Sequence, residues 1–74
     1  MQIRHIVIYV TEDFKKNNEG LSEFVFPYNE CDLQVKRFDG KTMFRVYKTK
    51  RNESLLLIDS DKVEAIEYDR YLEI

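Results

Sequence analysis

Hydrophobic and polar positions alternate along much of this chain, and short turn-forming clusters interrupt the alternation. The sharpest local signal is Phe38-Asp39-Gly40-Lys41. Asp-Gly between two alternating runs predicts a two-residue type I′ hairpin turn, because both central residues must take positive φ. That turn sets Phe38 opposite Lys41, Arg37 opposite Thr42, Lys36 opposite Met43, Val35 opposite Phe44 and Leu33 opposite Val46. Leu33, Val35, Phe44 and Val46 then share one face, and a slipped register would scatter them across both. The hydrophobic pattern thus supports the turn independently.

The alternation continues past the hairpin. A three-residue loop at Lys50-Arg51-Asn52 pairs Val46 with Leu56 and Phe44 with Ile58. A turn at Asp59-Ser60-Asp61-Lys62 then pairs Ile58 with Val63 and Leu56 with Ala65. The pattern predicts a four-strand meander over 31–38, 42–49, 53–59 and 62–70. Asp61 and Glu64 have the spacing of a capping box, but 63–74 shows no clean apolar helical face. Ile66, Tyr68, Leu72 and Ile74 share a strand parity instead, which predicts a strand.

Residues 2–11 are apolar at both parities, with Ile6, Ile8 and Val10 on one and Ile3, Val7 and Tyr9 on the other. Such a strand belongs in the interior, covered on both sides. Residues 21–26 read as another strand, ended by Pro27-Tyr28-Asn29. The polar stretch from Glu12 to Gly20 fits either of two forms. One is a one- or two-turn helix capped by Thr11 and stopped by Gly20; the other is a long loop pinned by Phe14. Six short strands in 74 residues predict a mainly β chain, a small antiparallel barrel or strongly bent sheet of SH3-like or Sm-like size. That architectural likeness carries no function.

Length and composition bound this picture. The 74 residues, 43% hydrophobic and 14% aromatic, fit one small domain and are too apolar for a disordered chain. A core of this size is marginal and often needs a staple or a partner. Cys31 is the only cysteine, so no intrachain disulfide can form, and Cys31 with His5 is too small a set for a zinc site. Dense packing of ten aromatics and self-association are the remaining routes. The apolar run from Ile6 to Val10 is too short for a signal peptide or a membrane span. Together with the lone cysteine, it points to a cytoplasmic protein. The Asn52-Glu53-Ser54 triplet matches a glycosylation acceptor only by chance in that setting.

Two features are not generic. The predicted core side of the meander holds Leu33, Val35, Phe44, Val46, Leu56, Ile58, Val63 and Ala65. Its opposite side would hold Met43, Tyr47, Leu55, Leu57, Ile66 and Tyr68, and the run Leu55-Leu56-Leu57-Ile58 is apolar at both parities. A half-solvated antiparallel strand should alternate, so this second face is covered either by the rest of the chain or by a homodimer or other partner. Charge is also segregated beneath a formal net charge of -2. Residues 36–51 carry Lys36, Arg37, Lys41, Arg45, Lys48, Lys50 and Arg51 against Asp39, a balance of +6. The flanking segments balance at -4 over 12–32 and -5 over 53–74. Internal pairing of these charges, with Asp59–Lys62 and Asp32 near Arg45 as candidates, is the structural explanation. The functional one is an electrostatic footprint for nucleic acid or an acidic protein surface. Of the aromatics interleaved with the bases, Phe44 and Phe38 read as core, leaving Tyr47 as a stacking group.

Catalytic chemistry is sparse. One His, one Cys and three Ser leave few nucleophiles and bases to arrange. His5 reads as a strand residue, Cys31 as a small hydrophobe, and the Asp59, Asp61 and Glu64 cluster as a solvated turn without calcium-loop spacing. An enzyme would have to gather His5 with acids such as Glu64 or Glu67 in one pocket. The sequence therefore leads to a non-catalytic interaction module, without cofactor or metal, acting on a protein partner as a regulator or inhibitor and able to self-associate. Small, charge-polarised proteins of this sort are frequent among phage and mobile-element regulators. The alternative is a nucleic-acid-binding barrel using the basic 36–51 hairpin.

Overall fold

Asp39 and Gly40 both take positive φ, 51° and 74°, the backbone a type I′ turn demands. In the computed structural model, which describes residues 2–26 and 30–73 and places side chains for 6–26 and 30–68, this turn joins two eight-residue strands. The elements are β1 (Gln2–Val10), α1 (Glu12–Asn17), β2 (Glu23–Phe26), β3 (Cys31–Phe38), β4 (Lys41–Lys48), β5 (Glu53–Asp59), a 3-10 turn (Ser60–Lys62) and β6 (Val63–Glu73). The turn expected at Pro27-Tyr28-Asn29 and the side chains of His5, Leu72 and Ile74 lie outside the described residues.

The β3–β4 register is the one the turn dictates, with Val35 opposite Phe44 and Leu33 opposite Val46. Phe44 likewise pairs with Ile58 and Val46 with Leu56 across β4 and β5. The connection is longer than expected, because Lys48 pairs with Glu53 and a register shift follows Val46. Tyr47 sits opposite Ser54, so Leu55 is the extra residue of a bulge. The bulge turns Leu55 toward the core, against which it packs. The double-parity run Leu55-Leu56-Leu57-Ile58 thereby resolves into three residues facing or packed on the interior and one, Leu57, facing out.

The fourth strand of the expected meander belongs elsewhere. Among the described residues, the strands form two three-stranded antiparallel sheets, β2-β1-β6 and β3-β4-β5, and no closed barrel. Val63 pairs with Val10 and Ala65 with Tyr9, replacing the expected Ile58–Val63 and Leu56–Ala65 pairs. Asp59 caps the 3-10 turn, its side chain accepting from the Asp61 N–H at 3.0 Å, and Thr11 N–H donates to Lys62 O at 3.0 Å. These contacts carry the chain from one sheet to the other. The physical reason lies in β1, which is nine residues long and apolar at both parities. It offers the eleven-residue β6 a longer ladder than the seven-residue β5 could. Pairing on both edges makes β1 the central strand its composition demands.

The two sheets share one core. Ile6, Ile8 and Phe26 come from one sheet, and Cys31 and Val46 from the other. Phe24, Leu33, Leu55, Leu56, Val63, Ile66 and Tyr68 pack around them. A fully buried aliphatic side chain contributes roughly 1.5–3 kcal/mol relative to exposure. The molecule measures 37 × 27 × 16 Å, its short axis matching two packed sheets about 10 Å apart. Four residues expected in the core are neither buried in it nor packed around it, Phe44 among them as a half-buried side chain. Val35 is 60% exposed and Phe38 69% exposed, and Ala65 is exposed. The β3–β4 hairpin extends past the shared core, and Ala65 shares a strand parity with Val63 but not a face, because Glu64 is the extra residue of a second bulge.

The segment after β1 is a helix. Thr11 Oγ1 accepts from the Phe14 N–H at 3.3 Å, and Phe14 lies edge-on to Phe24 with ring centres 6.2 Å apart. Glu19 and Gly20 follow with φ of 59° and 81° and bring the chain back toward β2. No helix among the described residues is long and apolar enough to cross a membrane.

Candidate interaction surface

The register of β3-β4-β5 determines which side chains share its outer face. Phe38 lies beside Lys41, Lys36 beside Met43 and Asp59, Gln34 beside Arg45 and Leu57, and Tyr47 beside Ser54. Lys36, Phe38, Met43 and Leu57 line a groove of about 310 Å³ whose wall is almost wholly apolar. Phe38 and Leu57 are 69% and 55% exposed, large for apolar groups on so small a domain.

Arg45 is held in the middle of this face. Its Nε donates to Ser54 Oγ at 2.6 Å, Nη1 to Asn52 Oδ1 at 2.9 Å and Gln34 Oε1 at 3.2 Å, and Nη2 to Asn52 O at 2.6 Å. The guanidinium also stacks 4.7 Å from the Tyr47 ring centre. All of these partners are neutral, and no ion pair to Arg45 occurs among the described residues. Asn52 takes positive φ, 52°, to present both oxygens. Lys41 Nζ lies 4.0 Å from Asp59, a loose contact. Lys36, Lys41 and Arg45 outnumber Asp59 at this end of the face, and Asp32 lies opposite Tyr47 at the other.

The seven predicted basic residues do not form one stripe. Lys36, Lys41 and Arg45 share the outer face, Arg37 and Lys48 have the opposite parity, and Lys50 and Arg51 sit in the β4–β5 loop. Lys50 is paired with Glu30 at 2.9 Å, and its hydrogen bond to that carboxylate raises its pKa. The anticipated Asp59–Lys62 and Asp32–Arg45 pairs give way to other partners. Asp59 meets Lys41, and Asp32 accepts from the Tyr68 hydroxyl and from the Leu33 N–H at 2.8 Å.

The six residues assigned to a second apolar face are divided. Met43, Tyr47 and Leu57 lie on the outer face of β3-β4-β5, whereas Leu55, Ile66 and Tyr68 pack on the core. Phe38 is the residue the sequence reading missed. Its parity with Lys36, and hence with Met43, already placed it on the outer face; its hydrophobicity argued wrongly for the core.

The outer face of β2-β1-β6 has the opposite character. Val7, Tyr9, Glu23, Val25, Ala65 and Glu67 share it, with Val7 buried at its centre among these neighbours. Tyr9 OH donates to Glu67 Oε2 at 2.8 Å, so this carboxylate too is held by a neutral partner. That hydrogen bond, followed by desolvation and then by the nearby charges of Glu67 and Glu23, raises the Tyr9 pKa above its ordinary 10.0. Cys31 is buried, and no group of three or more His, Cys, Asp or Glu among the described residues could hold a metal. Comparison with known protein families, curated proteins and solved structures gives no match.

Proposed function

We propose that this protein is a non-catalytic interaction module that docks a protein partner on the outer face of β3-β4-β5, acting as a regulator or inhibitor. The observation that carries this reading is the apolar groove of Phe38, Met43 and Leu57 beside Lys36 and the hydrogen-bonded Arg45. Exposed aromatics beside a fixed arginine are the usual anchors of protein interfaces. The scarcity of nucleophiles and bases, with Cys31 buried, supports a binding role over a catalytic one.

The test is affinity capture from the native host with mass spectrometry, repeated after nuclease treatment. A protein is expected to be retained with nuclease and lost with Phe38→Asp or Leu57→Asp. Retention that both variants leave intact would refute docking on this face.

The second reading, nucleic-acid binding, is favoured by one specific observation: Phe38 is exposed beside Lys36 and Lys41, as a stacking group requires. It expects affinity for DNA or RNA that falls steeply with salt. Against it stand the scatter of the seven bases over two faces and a loop, and the acidic outer face of the other sheet.

A further inference from the structure

The two outer faces of the molecule are complementary to each other. One presents Lys36, Lys41 and Arg45 around the exposed Phe38 and Leu57, against the carboxylates of Asp59 beside Lys41 and Asp32 at the Tyr47 end, so cations exceed anions on it by one. The other presents Glu23 and Glu67 with the exposed Val25 and Ala65 around a buried Val7, and no cation among its described side chains. In each, a charged group is hydrogen-bonded by neutral partners. Arg45 is fixed by Asn52, Ser54 and Gln34, and Glu67 by the Tyr9 hydroxyl. Charges fixed in this way lose little conformational freedom on meeting an opposite surface. We infer that the basic outer face of β3-β4-β5 receives the acidic outer face of β2-β1-β6 from a second copy of this chain, stacked front to back.

Size and charge both favour a second copy. A face of 37 × 27 Å has room for the roughly 800 Å² per partner of a standard interface. The basic face calls for an acidic, partly apolar surface, and the chain itself carries one. The contact is heterologous, because unlike faces meet. It leaves one face open at each end of a stack, so growth continues past two copies unless the rotation closes a ring. The inference rests on the reading of the groove face as a docking surface and names the occupant of that face.

Sedimentation velocity of the full chain over a concentration series tests it. At low salt the average mass is expected to climb past that of a dimer as concentration rises. At about 1 M salt, where screening reaches only about 3 Å, it is expected to return toward monomer. Lys36→Glu with Lys41→Glu makes both faces acidic, and Glu23→Lys with Glu67→Lys makes both basic. Each double variant alone should need at least tenfold more protein to associate, and an equimolar mixture of the two should restore association. Circular dichroism checks that both variants fold, and the salt series on the unaltered chain needs no variant. A monomer at every concentration in low salt, a mass that stops at dimer, or association indifferent to salt and charge reversal would each overturn the stacking. Loss of stacking alongside Phe38-dependent capture of another protein would remove the second copy while leaving the docking face in place.

Discussion

A guanidinium whose donors meet neutral acceptors is held in place without an ion pair, and among the described residues Arg45 has only such acceptors. The arrangement depends on Asn52 holding a left-handed backbone. Single-residue geometry matters equally at Gly40, with φ of 74°. An added Cβ there would meet nothing within 4 Å, so any cost of Gly40→Ala is purely conformational. The substitution is expected to destabilise by about 1 kcal/mol through backbone strain alone, read as a lowered urea midpoint at unchanged slope. At this scale the sequence was informative wherever a backbone requirement selects a residue type. It was silent on Arg45, because its partners Gln34, Asn52 and Ser54 are brought together only by pairing across three strands and a loop.

A bulge decides the fate of a whole strand in β5. Leu56 packs against the core while Leu57 points outward at 55% exposure, although the two are neighbours of the same residue type. Leu56→Ser should therefore cost about 2–4 kcal/mol, from lost burial and a polar group placed at the core. Leu57→Ser should stay within about 0.5 kcal/mol. Urea unfolding of the two variants checks this, and similar losses would contradict the register. Strand existence and the β3–β4–β5 register were legible from alternation and turn chemistry. The bulge was not, because Leu55 and Leu57 look alike in a periodic pattern and only the pairing of Tyr47 with Ser54 separates them.

The two sheets are joined by packing and by a side-chain bond. Tyr68 on β6 donates its hydroxyl to Asp32 on β3, linking one sheet to the other. Tyr68→Phe is expected to cost about 1.5–3 kcal/mol, as loss of a hydrogen bond to a charged group does. Both sheets contribute to one core, so unfolding should remain a single transition. Coincident curves from circular dichroism and tyrosine fluorescence would show it, and separated curves would mean that the sheets unfold apart. At the scale of the molecule, a charge balance near zero conceals two faces of opposite sign. That polarity sets the predicted salt dependence of association.

The sequence by itself determined the mainly β character, the hairpin at Asp39-Gly40, the facing pairs of β3 and β4, and the interior place of β1. Each of these follows from local backbone preference or from a period of two, which neighbouring residues specify among themselves. Only the tertiary structure decided that β6 leaves the meander for β1, that Phe38 is exposed, and that the basic residues fall on two faces and a loop. Those outcomes turn on competition between distant partners for the same edges and the same core. Residues far apart in the chain settle that competition by ladder length and by buried area.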